Sequence, residues 1–155
     1  MKLIFLTLNK KTIIDDCDYP LISKYKWYAA KTKPNRYIAQ TGFGVLMHRL
    51  ILNPDKGVEV DHINHNTLDN RRSNLRLVTS RQNHWNRPKR ENTKGSRFKG
   101  VHPMRKKFRA IIRVNNKNLI LGLFENEKDA ANAYDNAAII NFGEFACTNK
   151  MLGII

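Results

Sequence analysis

The stretch VEVDHINHNTLDNRRSNLRLVTSRQNHWN, residues 58–86, decides the fold of the first half of this chain. β-Branched residues flank an Asp-His pair near its start, and a second short strand pattern, residues 75–78, follows a loop rich in Asn, Asp and Arg. Thr79 or Ser80 can cap a helix, because a hydroxyl accepts hydrogen bonds from the free amides of a first helical turn. The pattern predicts a strand, a polar loop, a second strand and a short helix.

Four side chains in this stretch have the chemistry for metal-assisted hydrolysis. Asp61 and Asn83 offer hard oxygen donors, which suit Mg2+ or Mn2+ better than they suit a soft ion. His62, on the opposite side of the strand from Asp61, can take a proton from water near pH 7 as a neutral imidazole. The side-chain carbonyl of Asn74 can accept the proton of the other ring nitrogen and hold the tautomer. A metal, a base, an orienting group and a basic surround are what phosphodiester hydrolysis requires.

The segments VDHIN, NRRSNLRLVT and QNHWN of this stretch resemble the HNH family of phage and intron-encoded homing endonucleases. That family holds one divalent ion in a ββα-metal finger, which corresponds here to residues 58–86. The resemblance implies that Asp61 and Asn83 bind the ion. It also implies that His62 is the general base and that Asn74 orients it. Nuclease toxins often have His at the two ligand positions, so Asp and Asn favour Mg2+ or Mn2+ over zinc.

The same residues also have ordinary structural explanations. An Asp-His pair can be an ion pair or a cap, and Asn-rich loops are often turns. His65 and His84 are expected outside the catalytic set. His48 is expected to be a hydrogen-bonded packing residue.

Residues 1–57 are expected to form a small α+β region ahead of the finger. Apolar stretches at residues 3–8 and 12–14 predict a hairpin, and a helix over residues 19–25 follows. Three further strands are predicted, the last of them at residues 45–47. The pieces WYA and MHRLIL in this region resemble the segment that precedes the finger in phage homing endonucleases.

The charge distribution indicates a polyanionic partner. The formal net charge is +15 and the pI about 10.1. Fifteen Lys or Arg residues but only one acid, Glu91, lie between Arg71 and Arg113. Double-stranded DNA fits this concentration of charge, and counterion release should make its binding strongly salt-dependent.

Other sequence features bear on the cellular compartment and the oligomeric state of the protein. The apolar run at residues 3–8 is too short for a membrane span or a secretory signal. Cys17 and Cys147 have no metal-ligand spacing and predict free thiols in a reducing compartment. We therefore expect a cytoplasmic protein, in the host cytoplasm if it is phage-encoded. One active site per chain favours a monomer that nicks one strand, although a dimer could cut both.

The second half of the chain predicts a separate unit over residues 96–150, after a basic linker over residues 87–95. Its pattern is a three-stranded antiparallel sheet packed on one helix. Alternation in the second strand places Arg109 and Arg113 on one face. The three leucines of the third strand are expected to face the core: Leu119, Leu121 and Leu123.

The pieces FKGV, FRAIIR, LGLF and AANAYDNAA of this unit resemble the APETALA/ethylene-response-factor DNA-binding domain. In that family the sheet lies in the major groove, which admits a layer of strands. Ile120 and Ile111 replace a family Trp and a family acid, so base preference should differ. The resemblance implies that five residues contact DNA: Lys99, His102, Arg105, Arg113 and Asn118. Strand alternation places Arg109 on the same face.

The sequence as a whole predicts an α+β chain with an HNH endonuclease domain at residues 1–86 and a DNA-binding domain at residues 96–150. The predicted function is hydrolysis of phosphodiester bonds in double-stranded DNA with one Mg2+ or Mn2+ ion. Two alternatives remain. A non-catalytic DNA-binding transcriptional regulator predicts binding without metal-dependent cutting, and a nucleic-acid packaging protein predicts no site preference.

Overall fold

The computed structural model describes residues 1–90 and 95–155. The chain divides into two compact units, Met1–Asn83 and His84–Ile155. The predicted mixture of helices and small sheets is confirmed. Part of the predicted linker, residues 91–94 with Glu91, lies outside the described residues. The division falls inside a short helix, so the domain limits at residues 86 and 96 remain predictions.

The first unit is built from three antiparallel strand pairs and short helices. The pairs are β1 (Lys2–Phe5) with β2 (Lys11–Ile14), β3 (Tyr28–Lys33) with β4 (Arg36–Gln40), and β5 (Glu59–His62) with β6 (Leu75–Val78). The helices are α1 (Tyr19–Ile22), α2 (Met47–Leu52) and α3 (Ser80–Trp85), the last of which crosses the division between the units. The strand–loop–strand–helix order predicted for residues 58–86 is therefore present.

Apolar side chains from all three strand pairs and from α1 and α2 form the core of this unit. Trp27 is 5% exposed, and its indole Nε1 donates a hydrogen bond to the carbonyl of Ile22 at 2.8 Å. The strand predicted at residues 45–47 is wrong, because Met47 begins helix α2 instead. Met47 and Ile51 are both buried, and a spacing of four residues places them on one helical face.

The second unit has its three strands in the order β7 (Val101–Met104), β8 (Lys107–Val114), β9 (Lys117–Phe124), all antiparallel. Helix α4, Glu127–Phe142, packs on this sheet. Asn126 caps its start, because the Asn126 side chain accepts a hydrogen bond from the Lys128 amide at 2.9 Å. Phe98, Ala110 and Ala130 are among the buried residues between sheet and helix. The small alanines allow the helix to approach the strands closely.

A bulge in the β8–β9 ladder changes which side chains of the sheet are exposed. The register shifts after Ala110, so β9 contributes one extra residue, Leu121. Leu123 therefore pairs with Arg109 and is 54% exposed. The prediction that Leu123 faces the core is wrong, because simple alternation holds only along an unbulged strand.

Candidate active site

Asp61 and His62 lie side by side on β5. In the β5–β6 register, Asp61 stands opposite Arg76 and His62 opposite Leu75. Successive side chains of a strand point to opposite faces, so the hairpin presents Asp61 on one face and His62 on the other. Both residues are buried, with 8% and 6% of their surfaces exposed.

A chain of hydrogen bonds fixes the position of the proton on the His62 ring. The hydroxyl of Thr12 donates to the carbonyl of Leu68 at 2.7 Å, so its oxygen accepts from Nδ2 of Asn70, also at 2.7 Å. That bond turns Oδ1 of Asn70 toward Nε2 of His62, 3.1 Å away. An amide oxygen can only accept a hydrogen bond, so Nε2 carries the proton. The neutral ring therefore has its basic lone pair on Nδ1.

The side chain that hydrogen-bonds to the His62 ring is that of Asn70, where the sequence predicted Asn74. Oδ1 of Asn74 accepts from the backbone amide of Asn64 at 3.0 Å, and its Nδ2 donates to the carbonyl of Asp69 at 2.8 Å. Both bonds run to the backbone of the β5–β6 loop. The side chain of Asn74 therefore closes that loop and does not reach the His62 ring.

Burial keeps the candidate base neutral. Burial lowers the pKa of His62, and the charge of Arg36 lowers it further, whereas the hydrogen bond that His62 donates to Asn70 and the charge of Asp61 raise it. The ring of His48 lies edge-on to that of His62 with 5.1 Å between centroids. Burial, with the neighbouring His62, lowers the pKa of His48 to about 4. His48 is thus a neutral packing partner of the candidate base near pH 7.

The other face of the hairpin carries the candidate metal ligands. Oδ2 of Asp61 accepts two hydrogen bonds from Arg76, 2.9 Å from Nη2 and 3.1 Å from Nε. Glu59 lies two residues before Asp61 and therefore on the same face. Its carboxylate accepts hydrogen bonds from Nδ2 of Asn83 and from the hydroxyl of Ser80. Asn83 thus lies on the Asp61 side of the hairpin, with its Oδ1 as the oxygen available to an ion.

These donors fit a hard divalent ion. Carboxylate and amide oxygens are the ligands that Mg2+ and Mn2+ prefer. Within residues 1–90 and 95–155, no group of three His, Cys, Asp or Glu side chains is arranged to hold a metal. Asn83 would add an amide oxygen to the carboxylates that this face offers to an ion. Arg76 is a competing cation, because its guanidinium already holds Oδ2 of Asp61.

Sequence reasoning missed three residues of this site: Glu59, Asn70 and Arg76. The sequence could have identified Glu59, because residues two positions apart in a strand lie on the same face and Glu59 has that spacing from Asp61. Arg76 could have been identified from the cross-strand register once both strands were assigned. Asn70 could not have been identified in this way, because its partner Thr12 is 58 positions away along the chain.

In the second unit, the exposed sheet face gathers most of the predicted DNA-binding residues. Cross-strand pairing places His102 beside Arg109, and Arg113 beside Asn118. Arg105 lies in the turn between β7 and β8 with a left-handed φ of 56°. Nε of Arg109 is buried without a hydrogen-bond partner among the described residues, so this guanidinium has unused donor capacity.

Lys99 does not belong to that face, in contrast to the prediction. Its ammonium donates to the carbonyls of Trp85 and Arg87, at 2.9 and 2.7 Å. Burial lowers the pKa of Lys99. The side chain binds carbonyl groups at and beyond the C-terminal end of helix α3, where a cation is favourable. Lys99 therefore has a structural role in this unit.

Comparisons with known proteins match the region that contains the candidate active-site residues. In the part of the chain that the structure describes, no helix has the length and apolar character needed to cross a membrane. The profile of the HNH endonuclease family matches residues 53–85, which include Asp61, His62, Asn74 and Asn83. The chain is also similar to an uncharacterized HNH endonuclease of Acanthamoeba polyphaga mimivirus, with 34% identity over 140 residues. That match covers 86% of this chain and 71% of the relative. The chain therefore belongs to the HNH endonuclease family.

Proposed function

We propose that this chain is a metal-dependent DNA endonuclease in which His62 is the general base. The observation that carries the proposal is the chain of hydrogen bonds from Leu68 through Thr12 and Asn70 to His62. This chain holds the imidazole in one orientation and one tautomer before substrate arrives. A base that is fixed in advance need not reorganise during the reaction.

His62 accepts the proton of the attacking water at Nδ1. The water oxygen then bonds to phosphorus, and the bond from phosphorus to the 3′ oxygen breaks. The 3′ oxygen takes a proton from solvent as it leaves, and His62 returns the water proton to solvent. The products are a 5′-phosphate and a 3′-hydroxyl. The lowered pKa of His62 keeps the ring in its neutral, proton-accepting form near pH 7.

Asp61 and Asn83 would hold one Mg2+ or Mn2+ ion, with Glu59 beside them on the same face. When bound, the ion supplies positive charge that stabilises the developing charge on the phosphate and on the leaving oxygen. Arg76 neutralises Asp61 through their 2.9 Å ion pair. Its planar guanidinium suits phosphate oxygens, and we propose that it contacts the DNA backbone once it has released Asp61.

The second unit would direct this site to its target in double-stranded DNA, in the manner of the APETALA/ethylene-response-factor domain that it resembles. Support comes from the exposed sheet face, where His102, Arg109, Arg113 and Asn118 supply cationic and polar groups. Between them, Ile111 pairs with Ile120. Apolar side chains at such positions can contact thymine methyl groups, while arginines read guanine in the major groove.

The direct test is incubation of supercoiled plasmid and candidate target DNA with protein, with Mg2+, with Mn2+, or with EDTA. The proposal predicts nicked or linear DNA only with a divalent ion, and binding without cutting in EDTA. Cutting that is equal in EDTA contradicts metal dependence. No cutting under any condition, together with tight binding, favours a non-catalytic DNA-binding regulator. One observation favours that second candidate, since Arg76 already neutralises Asp61.

A further inference from the structure

A recess on the first unit is lined by cationic and polar groups and is separate from the candidate metal ligands. It has a volume of about 180 Å³ and lies between Lys10, the tip of the β3–β4 hairpin (residues 35–37) and the β5–β6 loop (residues 65–68). None of the described residues that line it is acidic. Such a space holds several water molecules, which a phosphate group can displace.

The walls of the recess are fixed by hydrogen bonds between segments that are distant in sequence. The hydroxyl of Thr67 donates to the carbonyl of Tyr37 at 2.6 Å and ties the loop to the hairpin. The amide of Ile13 donates to the carbonyl of Leu68 at 3.0 Å, and the amide of Asn70 donates to the carbonyl of Ile13 at 2.8 Å. The recess is therefore a built feature and not a gap between flexible side chains.

Arg36 differs from Arg71, Arg72 and Arg76 of the same unit in having no ion pair among the described residues. Its guanidinium has no ion-pair partner within residues 1–90 and 95–155, and it lines the recess. Three other arginines of the unit are held by aspartates at 2.6 to 2.9 Å: Arg71 by Asp69, Arg72 by Asp18 and Arg76 by Asp61. Lys10 lines the same recess and holds its ammonium 4.8 Å from the centre of the Tyr37 ring. The recess thus presents two cations, neither of which forms an ion pair with a carboxylate of the described residues.

The recess is joined to the candidate base. The carbonyl of Leu68, which lines the recess, accepts a hydrogen bond from the hydroxyl of Thr12. That bond is the first in the chain of hydrogen bonds that ends on Nε2 of His62. Arg36 is also close enough to His62 for its charge to act on that ring. A group bound in the recess would therefore lie near the site of cleavage and press on the loop that positions His62.

We propose that this recess binds a phosphate of the DNA backbone that flanks the scissile phosphate, with Arg36 and Lys10 as its charged contacts. The inference rests on the proposed function in one respect, that double-stranded DNA is the ligand. Arg36 offers a two-point hydrogen-bonding fork and Lys10 a single ammonium, so Arg36 contributes more to register along the backbone.

The test measures affinity for a labelled DNA duplex by fluorescence anisotropy in EDTA, where no cutting interferes, over a series of salt concentrations. Each phosphate contact adds about 0.9 to the slope of log Kobs against log salt. Arg36→Ala and Lys10→Ala should each lower that slope by about 1. Lys24→Ala, which removes an exposed charge elsewhere on the same unit, should leave the slope at the wild-type value. Arg36→Lys should restore most of the slope, and unchanged thermal unfolding checks that the variants fold.

The outcomes separate this inference from the proposed function. A reduced slope for Arg36→Ala supports the recess even if wild-type protein fails to cut plasmid with Mg2+ or Mn2+. A slope that is unchanged in both Arg36→Ala and Lys10→Ala overturns the recess even if the wild type cuts normally. A loss that is equal in Lys24→Ala also overturns it, because the charge would then act without a specific site.

Discussion

In the first unit, the polar side chains of the site lie below the surface: His62, Asn70 and Asn74 are exposed by 6%, 0% and 6%. In the second unit, Arg113 and Asn118 stand exposed on the outer face of a sheet whose other face packs on helix α4. Buried polar groups must satisfy one another, and that requirement fixes their geometry. Exposed cations need no such network, because their partner is external. Variants in the first unit should therefore lower the cleavage rate, and variants on the sheet face of the second unit should lower DNA affinity.

The largest effect is expected for His62→Ala. Loss of the general base should lower the rate of DNA cleavage by about 10²–10⁴-fold, while DNA affinity in EDTA stays close to that of the wild type. Single-turnover cleavage and anisotropy on the same preparation measure the two quantities. A variant that cuts at a comparable rate would remove His62 from the mechanism.

Asn70→Ala should have the next largest effect, with Asn74→Ala as its matched control. Without Asn70 the tautomer of His62 is no longer fixed, and we expect a loss of about 10–100-fold in cleavage rate, the usual cost of losing a group that orients an active imidazole. Asn74→Ala should instead lower the free energy of unfolding by about 1–3 kcal/mol, because it leaves buried backbone groups of the loop without partners. Equal cleavage defects at equal stability would contradict the separate roles of the two asparagines.

In the second unit, Arg113→Ala should weaken DNA binding by roughly 1–3 kcal/mol if this residue reads a base. Lys99→Ala is the contrasting variant, since its ammonium binds the carbonyls of Trp85 and Arg87. It should lower the thermal unfolding temperature and leave the affinity of the folded protein unchanged. Gel-shift titrations measure the affinities, and thermal unfolding measures the stabilities. A loss of DNA affinity in folded Lys99→Ala would indicate that Lys99 contacts DNA.

The smallest effect is a pH dependence of stability. The pKa of His48 falls from 6.5 to about 4 on folding, so the unfolded chain binds a proton between these values that the folded chain does not. Stability should therefore fall as the pH drops from 6.5 toward 4, by about 1 kcal/mol at pH 5 when its partial exposure is discounted. Denaturant unfolding of wild type and His48→Gln measures this. An equal pH dependence in both would exclude His48 as a source.

Local patterns predicted β5, β6, β8, β9 and α4, because each element buries side chains with its own period. They failed where distant residues decide the outcome. Leu123 is exposed because of a bulge in the β8–β9 ladder. The ammonium of Lys99 binds carbonyls at and just beyond the C-terminal end of helix α3. Asn70 was missed since its partners come from β2 and β5, which only the folded chain brings together. Residue types led to the hypothesis for the chemistry of the site, while long-range contacts decide which asparagine contacts His62.

The proposed mechanism depends most on which nitrogen of the His62 ring carries the proton. Two-bond 15N–1H NMR spectra of 15N-histidine-labelled protein at neutral pH report which imidazole nitrogen of His62 carries the proton. We predict a neutral ring protonated at Nε2, with a signal that shifts toward a mixture of tautomers in Asn70→Ala. A ring protonated at Nδ1 would contradict the role of Asn70. Nδ1 could then not accept the proton of the attacking water.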